Sequence, residues 1–127
     1  MKINVDHILI VVKDLKDTIR FYRHLGFTHV ETIARPNDTV GVIKKDGLMI
    51  ELMQLPPGEE TYREPRKNSD IGFRHLGFRV DDIQEVYESL EDKIEFDGLP
   101  VNSAGRGDRR LLFFKDPNGV ELHFIQE

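Results

Sequence analysis

The sequence predicts an α+β protein made of two tandem βαβββ modules. Three observations carry that expectation: an internal repeat, a strand–cap–helix pattern at the start of each copy, and a turn-rich hairpin at the end of each copy. Self-similarity is the first thing to look for, because a repeat decides architecture. His7-Ile8-Leu9-Ile10-Val11-Val12-Lys13-Asp14-Leu15 and His75-Leu76-Gly77-Phe78-Arg79-Val80-Asp81-Asp82-Ile83 align 68 residues apart. They share His, Val12/Val80, Asp14/Asp82 and Leu15/Ile83.

Each copy opens with about six residues of strand character and reaches an Asp suited to cap a helix. Ile19, Phe21, Tyr22 and Leu25 follow Asp14 at helical spacing before Gly26, and Val86, Tyr87 and Leu90 follow Asp82. Helices are therefore expected at about 15–25 and 83–93. Three strand-like segments follow each helix, at about 27–34, 38–45 and 48–54, then at 94–97, 109–115 and 119–126. Lys45-Asp46-Gly47 and Asp116-Pro117-Asn118-Gly119 supply the reversals of the two terminal hairpins. The polar stretch Leu55–Asp70, with three prolines, reads as a linker or lid. A single domain over 1–127 is expected, with module 1 at about 3–54, a linker at 55–72 and module 2 at about 73–127. Each sheet would bury one face under its helix and turn the other toward a cleft shared by the modules.

Composition narrows the chemistry. At 127 residues and 39% hydrophobic content the chain can bury a core without covalent staples. It has no cysteine, which excludes disulfides, thiolate nucleophiles and thiolate-held metals. A formal charge of -5 without a basic stripe argues against nucleic acid as a partner. No apolar run approaches the roughly 20 residues of a spanning helix, and no membrane contact is expected. The chain opens on a strand-like run, without a basic segment leading into an apolar one, so a cytoplasmic address is expected.

The candidate site comes from strand alternation. His7, Leu9 and Val11 share one face of their strand, while Ile8, Ile10 and Val12 form an aliphatic set for the helix. In the second copy Leu76, Phe78 and Val80 take the helix side, leaving His75, Gly77 and Arg79 for the cleft. The last strands align 70 residues apart, matching Glu51 with Glu121. An isolated strand His is usually packed or at the surface, and a strand Glu usually lies solvated on an edge. The joint recurrence of both at matching places favours a metal site of His7, Glu51, His75 and Glu121, a nitrogen and oxygen set suited to one divalent ion of Ni, Co, Zn, Mn or Fe. His123, beside Glu121, is the one further histidine able to join it, and is otherwise a substrate contact.

Other polar residues stand near the expected cleft. Arg79 follows the alternation that turns His75 inward and can meet a carboxylate or phosphate, or pair with a linker acid. Arg106 and Arg109 belong to the glycine-containing loop 103–110, an anion site if it is not simply a solvated basic loop. Tyr62 can close the cleft or merely pack.

Several segments together resemble the vicinal oxygen chelate superfamily of glyoxalases, bleomycin-resistance proteins and extradiol dioxygenases. They are Val5-Asp6-His7-Ile8, Phe21-Tyr22 with Leu25-Gly26-Phe27, Met49-Ile50-Glu51-Leu52, Arg74-His75-Leu76-Gly77-Phe78, and Phe114 through Leu122 with its Asp116-Pro117-Asn118-Gly119 turn. The order His, Glu, His, Glu is most similar to bacterial glyoxalase I. The resemblance implies a metal-dependent lyase or isomerase, acting through an enediolate on a small α-hydroxycarbonyl or hemithioacetal. Glu121 or Glu51 would then move the proton. It also implies a homodimer. The alternatives are an extradiol-type dioxygenase, a thiol transferase of the fosfomycin-resistance kind, and a metal-free protein that binds an antibiotic or other ligand. Glu51 separates the first of these from a glyoxalase, because a fourth protein ligand takes a place that oxygen or a catechol needs.

Overall fold

The computed structural model describes residues 1–61 and 67–127. It divides into two compact units, Met1–Glu64 and Pro65–Glu127. The first contains β1 (Ile8–Val12), α1 (Leu15–His24), β2 (Thr28–Ala34), β3 (Thr39–Lys45) and β4 (Leu48–Gln54). The second contains β5 (Leu76–Arg79), α2 (Ile83–Leu90), β6 (Val101–Gly105), β7 (Gly107–Lys115) and β8 (Glu121–Gln126). Both sheets have the same order, β1-β4-β3-β2 and β5-β8-β7-β6, with the first strand parallel to the last and the other pairs antiparallel. This is the tandem βαβββ architecture that the repeat predicts. Among the described residues, no helix is long and apolar enough to cross a membrane.

Each helix starts where its Asp caps it. Asp14 accepts from the Asp17 amide at 3.0 Å, and Asp82 accepts from the Gln84 and Glu85 amides. A second device repeats beside the caps: the Leu15 amide donates to Gln54 Oε1 at 2.7 Å and the Ile83 amide to Gln126 Oε1 at 2.8 Å. The last strand's glutamine thus satisfies an orphan amide of the first helical turn and ties helix to sheet. The first core gathers Ile19 and Tyr22 of α1 with Ile43, Ile50 and Leu52 of the sheet; the second gathers Ile83, Leu112, Phe114, Leu122 and Phe124. Phe114 and Phe124 pack at 4.8 Å between ring centroids.

Three boundaries differ from the sequence expectation. The strand expected at 94–97 is only an isolated bridge from Phe96 to Phe114, because Phe96 serves as a core aromatic between Tyr87 and Phe114. The strand that fills this place is β6, and the expected basic loop 103–110 is largely the β6–β7 hairpin, turning at Arg106 between the paired Gly105 and Gly107. Helix α2 ends at Leu90 rather than near 93.

The two terminal hairpins are also unequal. Lys45 pairs with Leu48 across Asp46-Gly47, where both residues have positive φ, 49° and 84°. Lys115 pairs with Glu121 across the longer segment 116–120. There the buried Asp116 accepts from the Asn118 amide at 2.8 Å and the Val120 amide at 3.0 Å. The parallel registers set the equivalence of the last strands. Ile8 opposes Ile50 and Leu9 opposes Glu51 in the first sheet; Leu76 opposes Leu122 and Gly77 opposes His123 in the second. The residue at the place of Glu51 is therefore His123. The sequence equivalence of Glu51 with Glu121 is corrected by two positions.

Replacing Gln126 by Ala leaves the buried Ile83 amide without its acceptor and is expected to lower stability by about 1 kcal/mol, measured by urea unfolding. At the β2–β3 turn, Arg35 donates to Asp38 at 2.8 Å and holds the Asp38 carboxyl below its ordinary pKa. That contribution is complete above the unfolded value of about 3.9 and disappears as pH falls through the lower folded value. Asp38→Asn is expected to remove this acid-side slope from a stability-versus-pH curve.

Candidate active site

In the first unit, His7 stands just before β1 and Glu51 in the middle of β4, and parallel pairing of the two strands brings their side chains together. His7 Nε2 lies 2.9 Å from Glu51 Oε2, and His7 Nδ1 lies 2.8 Å from Asp6 Oδ2. Asp6 therefore fixes which ring nitrogen turns to Glu51, the arrangement by which an outer carboxylate orients a ligating imidazole. The His7 pKa is raised, first by the hydrogen bond to Asp6 and further by the charge of Glu51, against desolvation. A proton on Nε2 would be the cation that the Glu51 carboxylate attracts. A metal ion would take the place of that proton.

In the second unit the corresponding contact is between imidazoles. The His75 and His123 rings are 4.3 Å apart by centroid, and Phe113 meets the His123 ring edge-on at 5.6 Å. Gly77 makes this possible, since a Cβ there would lie 2.6 Å from His123 Nε2. Glu121 points to a different partner, its Oε2 lying 3.1 Å from Arg74 Nε. The His123 pKa is lowered, first by burial and then by the neighbouring His75 and Arg109.

His75, Gly77 and His123 floor a concavity of about 510 Å³ on the second sheet, walled by Leu111, Phe113 and Ile125 and rimmed by Arg79, Arg106 and Arg109. The volume falls in the range of small-molecule sites. Arg79 and Arg106 converge on the Glu127 carboxylate at 3.5 and 3.6 Å. Arg109 lies across Gly105, where a Cβ would be 2.5 Å from its guanidinium. Its Nε and His123 Nδ1 are shielded from solvent and lack a hydrogen-bond partner among the described residues. Each such orphan costs about 1–3 kcal/mol, and more if charged, until a ligand satisfies it.

The structure thus joins His7 to Glu51, joins His75 to His123, and places Arg79, Arg106 and Arg109 around one concavity. Tyr62 lies outside the described residues. Among the described residues no group of three or more His, Asp or Glu is gathered as a metal set. What each unit does provide is one pair with donor chemistry suited to a borderline divalent ion. Sequence reasoning missed Asp6 as the partner of His7, although the Asp6-His7 adjacency was visible. It also missed Arg74, whose hold on Glu121 depends on side-chain conformations that alternation does not fix. Gly77→Ala is expected to displace the His123 ring and close the floor of the concavity, moving the His123 resonances in a histidine-resolved NMR spectrum while leaving those of His7 in place.

Comparison with known proteins bears on the family and the fold. A family profile described as the Glyoxalase/Bleomycin resistance protein/Dioxygenase superfamily matches residues 4–124. The protein YaeR of Escherichia coli (strain K12) is 30% identical over 128 residues, covering 97% of this chain and 95% of its own. The glyoxalase family protein from Enterococcus faecalis superposes with a TM-score of 0.82 at 28% identity, covering 97% of each chain. The fosfomycin resistance protein FosX from Listeria monocytogenes, solved with manganese(II) and sulfate ion, has a TM-score of 0.70 at 16% identity, covering 100% of this chain and 94% of its own. The chain belongs to the glyoxalase/bleomycin resistance/dioxygenase superfamily, and its two tandem βαβββ units are the fold of that superfamily.

Proposed function

We propose that this chain is a divalent-metal-dependent isomerase or lyase of the glyoxalase I kind, acting on a small α-hydroxycarbonyl or hemithioacetal. The observation that carries the reading is the Asp6–His7–Glu51 relay, in which an outer carboxylate orients an imidazole whose other nitrogen meets a second carboxylate at 2.9 Å. An imidazole and a carboxylate held this way fit one ion of the Ni, Co, Zn, Mn or Fe class. The manganese(II) reported for the fosfomycin-resistance relative is in keeping with such a set. His7, Glu51 and His75 are three of the proposed ligands. The fourth comes from β8, where Glu121 and His123 share a face.

When bound, the metal supplies Lewis-acid polarisation of adjacent hydroxyl and carbonyl oxygens. The rest is work for the chain's own groups. Glu51 is the proposed base, taking the proton from the carbon next to the carbonyl and returning it to the neighbouring carbon; Glu121 is the second carboxylate that the sequence offers for this step. Leu111, Phe113 and Ile125 exclude water from one side of the reacting carbons. Arg109 offers an unpartnered buried N–H to an anionic substituent of the substrate, with Arg79 and Arg106 at the rim.

Protein purified without chelator is expected to carry one equivalent of metal by elemental analysis. It should isomerise the hemithioacetal of methylglyoxal and a thiol. Glu51→Gln should weaken metal binding and lower turnover by about 10²–10⁴-fold. No metal at stoichiometric level, with no gain on adding nickel, cobalt, zinc or manganese, would instead point to a metal-free binding protein. Retained metal and turnover in Glu51→Gln would remove Glu51 from both roles.

A further inference from the structure

The geometry points to a carboxylate-binding site at one end of the second sheet, which takes a carboxylate with an apolar body and which the Glu127 side chain fills as an intramolecular stand-in. This deepens the anion contact named in the proposed function and rests on it. Every group it needs lies in the second unit, so it is separable from the metal.

Strand registers assemble the site. His123 pairs with Gly77 and Phe113, and Ile125 pairs with Arg79 and Leu111. Glu127, one residue beyond β8, continues that alternation toward Arg109, which precedes Leu111 by two on β7. Imidazole, apolar and guanidinium groups therefore follow one another along the sheet over a span of about four strand residues, roughly 13 Å. Arg106, at the β6–β7 turn, adds a further guanidinium to the same end.

The cationic end is underused by the chain itself. Arg79 and Arg106 both approach Glu127 Oε1, at 3.5 and 3.6 Å. These separations exceed the roughly 2.7–3.2 Å of a good hydrogen bond. All three side chains are exposed, and an exposed pair of this kind is held weakly. Two guanidinium groups meeting one carboxylate oxygen mark where an anion is favoured, while most of their N–H donors stay unspent. Arg109 completes the picture. Glycine at position 105 lets its guanidinium lie against β6, and its solvent-shielded Nε has no hydrogen-bond partner among the described residues, so Glu127 does not satisfy it. A ligand that reaches Nε gains a contact that Glu127 does not make.

The ligand class follows from both ends. A carboxylate presents the planar pair of acceptors that a guanidinium fork matches, and Glu127 already offers one there. Phe113, beyond Leu111 and Ile125, remains exposed in the same concavity, and a bare anion would leave it in water. Glu127 also borders a second concavity of about 520 Å³, into which its side chain can turn when a ligand takes its place.

Phenylbutyrate is the probe. Its binding to the full chain is measured by calorimetry and by NMR of the arginine Nε–H signals, with phenylbutanol as the uncharged control and acetate and inorganic phosphate as bare anions. Phenylbutyrate is expected to bind about tenfold or more tightly than any of the three and to move the Arg109 signal. Glu127→Gln removes the competing charge and should tighten binding by up to about fivefold. Arg109→Met keeps the bulk but not the donor. It should weaken binding by about tenfold without lowering the urea midpoint, because the donor it removes is unsatisfied. Equal affinity for phenylbutanol, unchanged affinity in Glu127→Gln, or a lowered midpoint in Arg109→Met overturns the inference. The titration is repeated after chelator treatment, with unchanged affinity expected. Loss of phenylbutyrate binding on chelation would assign the carboxylate to a metal and overturn this inference alone, whereas unchanged binding in protein that takes up no metal would uphold it while the metal reading fails.

Discussion

Parallel pairing between the first and last strand of each unit is the constraint from which the rest of this structure follows. Residues that are far apart in sequence become neighbours there, and which ones do so depends on register to the single residue. Because side chains alternate with a period of two, the pairing of Ile8 with Ile50 sends the aliphatic set under α1 and leaves His7 and Glu51 together on the opposite face. The same ladder in the second unit delivers His75 and His123. The glutamine that closes each last strand, Gln54 or Gln126, then reaches the first helical amide. Core, helix docking and candidate site thus share one registration.

The two units use that frame for different ends. In the first, Asp6 and Glu51 bracket one imidazole and favour a cation between them. In the second, burial and neighbouring positive groups favour a neutral imidazole beside a cationic rim. The pairing of Arg79 and Arg106 with Glu127 shows that both guanidinium groups can reach one carboxylate. One unit presents an imidazole between two carboxylates, and the other presents two imidazoles beside three guanidinium groups.

Most of the fold was legible in the chain itself. Asp14 and Asp82 marked helix starts, the repeated His-led strands marked the modules, and Gly47 and Gly119 marked reversals. These signals are local: caps, alternation and turn chemistry act over a few residues. Phe96 misled for a physical reason, since a short apolar run reads as a strand whether it pairs with a neighbour or plugs a core.

The sequence alone determined the two modules, the side of the strand away from the helix for His7 and His75, and the presence of Glu51 on a final strand, because patterning dictates which side of a strand meets its helix. Only the tertiary structure decided that His123 stands where Glu51 does, that Arg74 holds Glu121, and that Gly77 makes room for the His123 ring. The parallel registers put the counterpart of Glu51 two residues beyond Glu121, while the segment 116–120 is longer than the Asp46-Gly47 turn. A shift of two keeps every side chain on its own face, so alternation cannot detect it. Pairing between distant strands can.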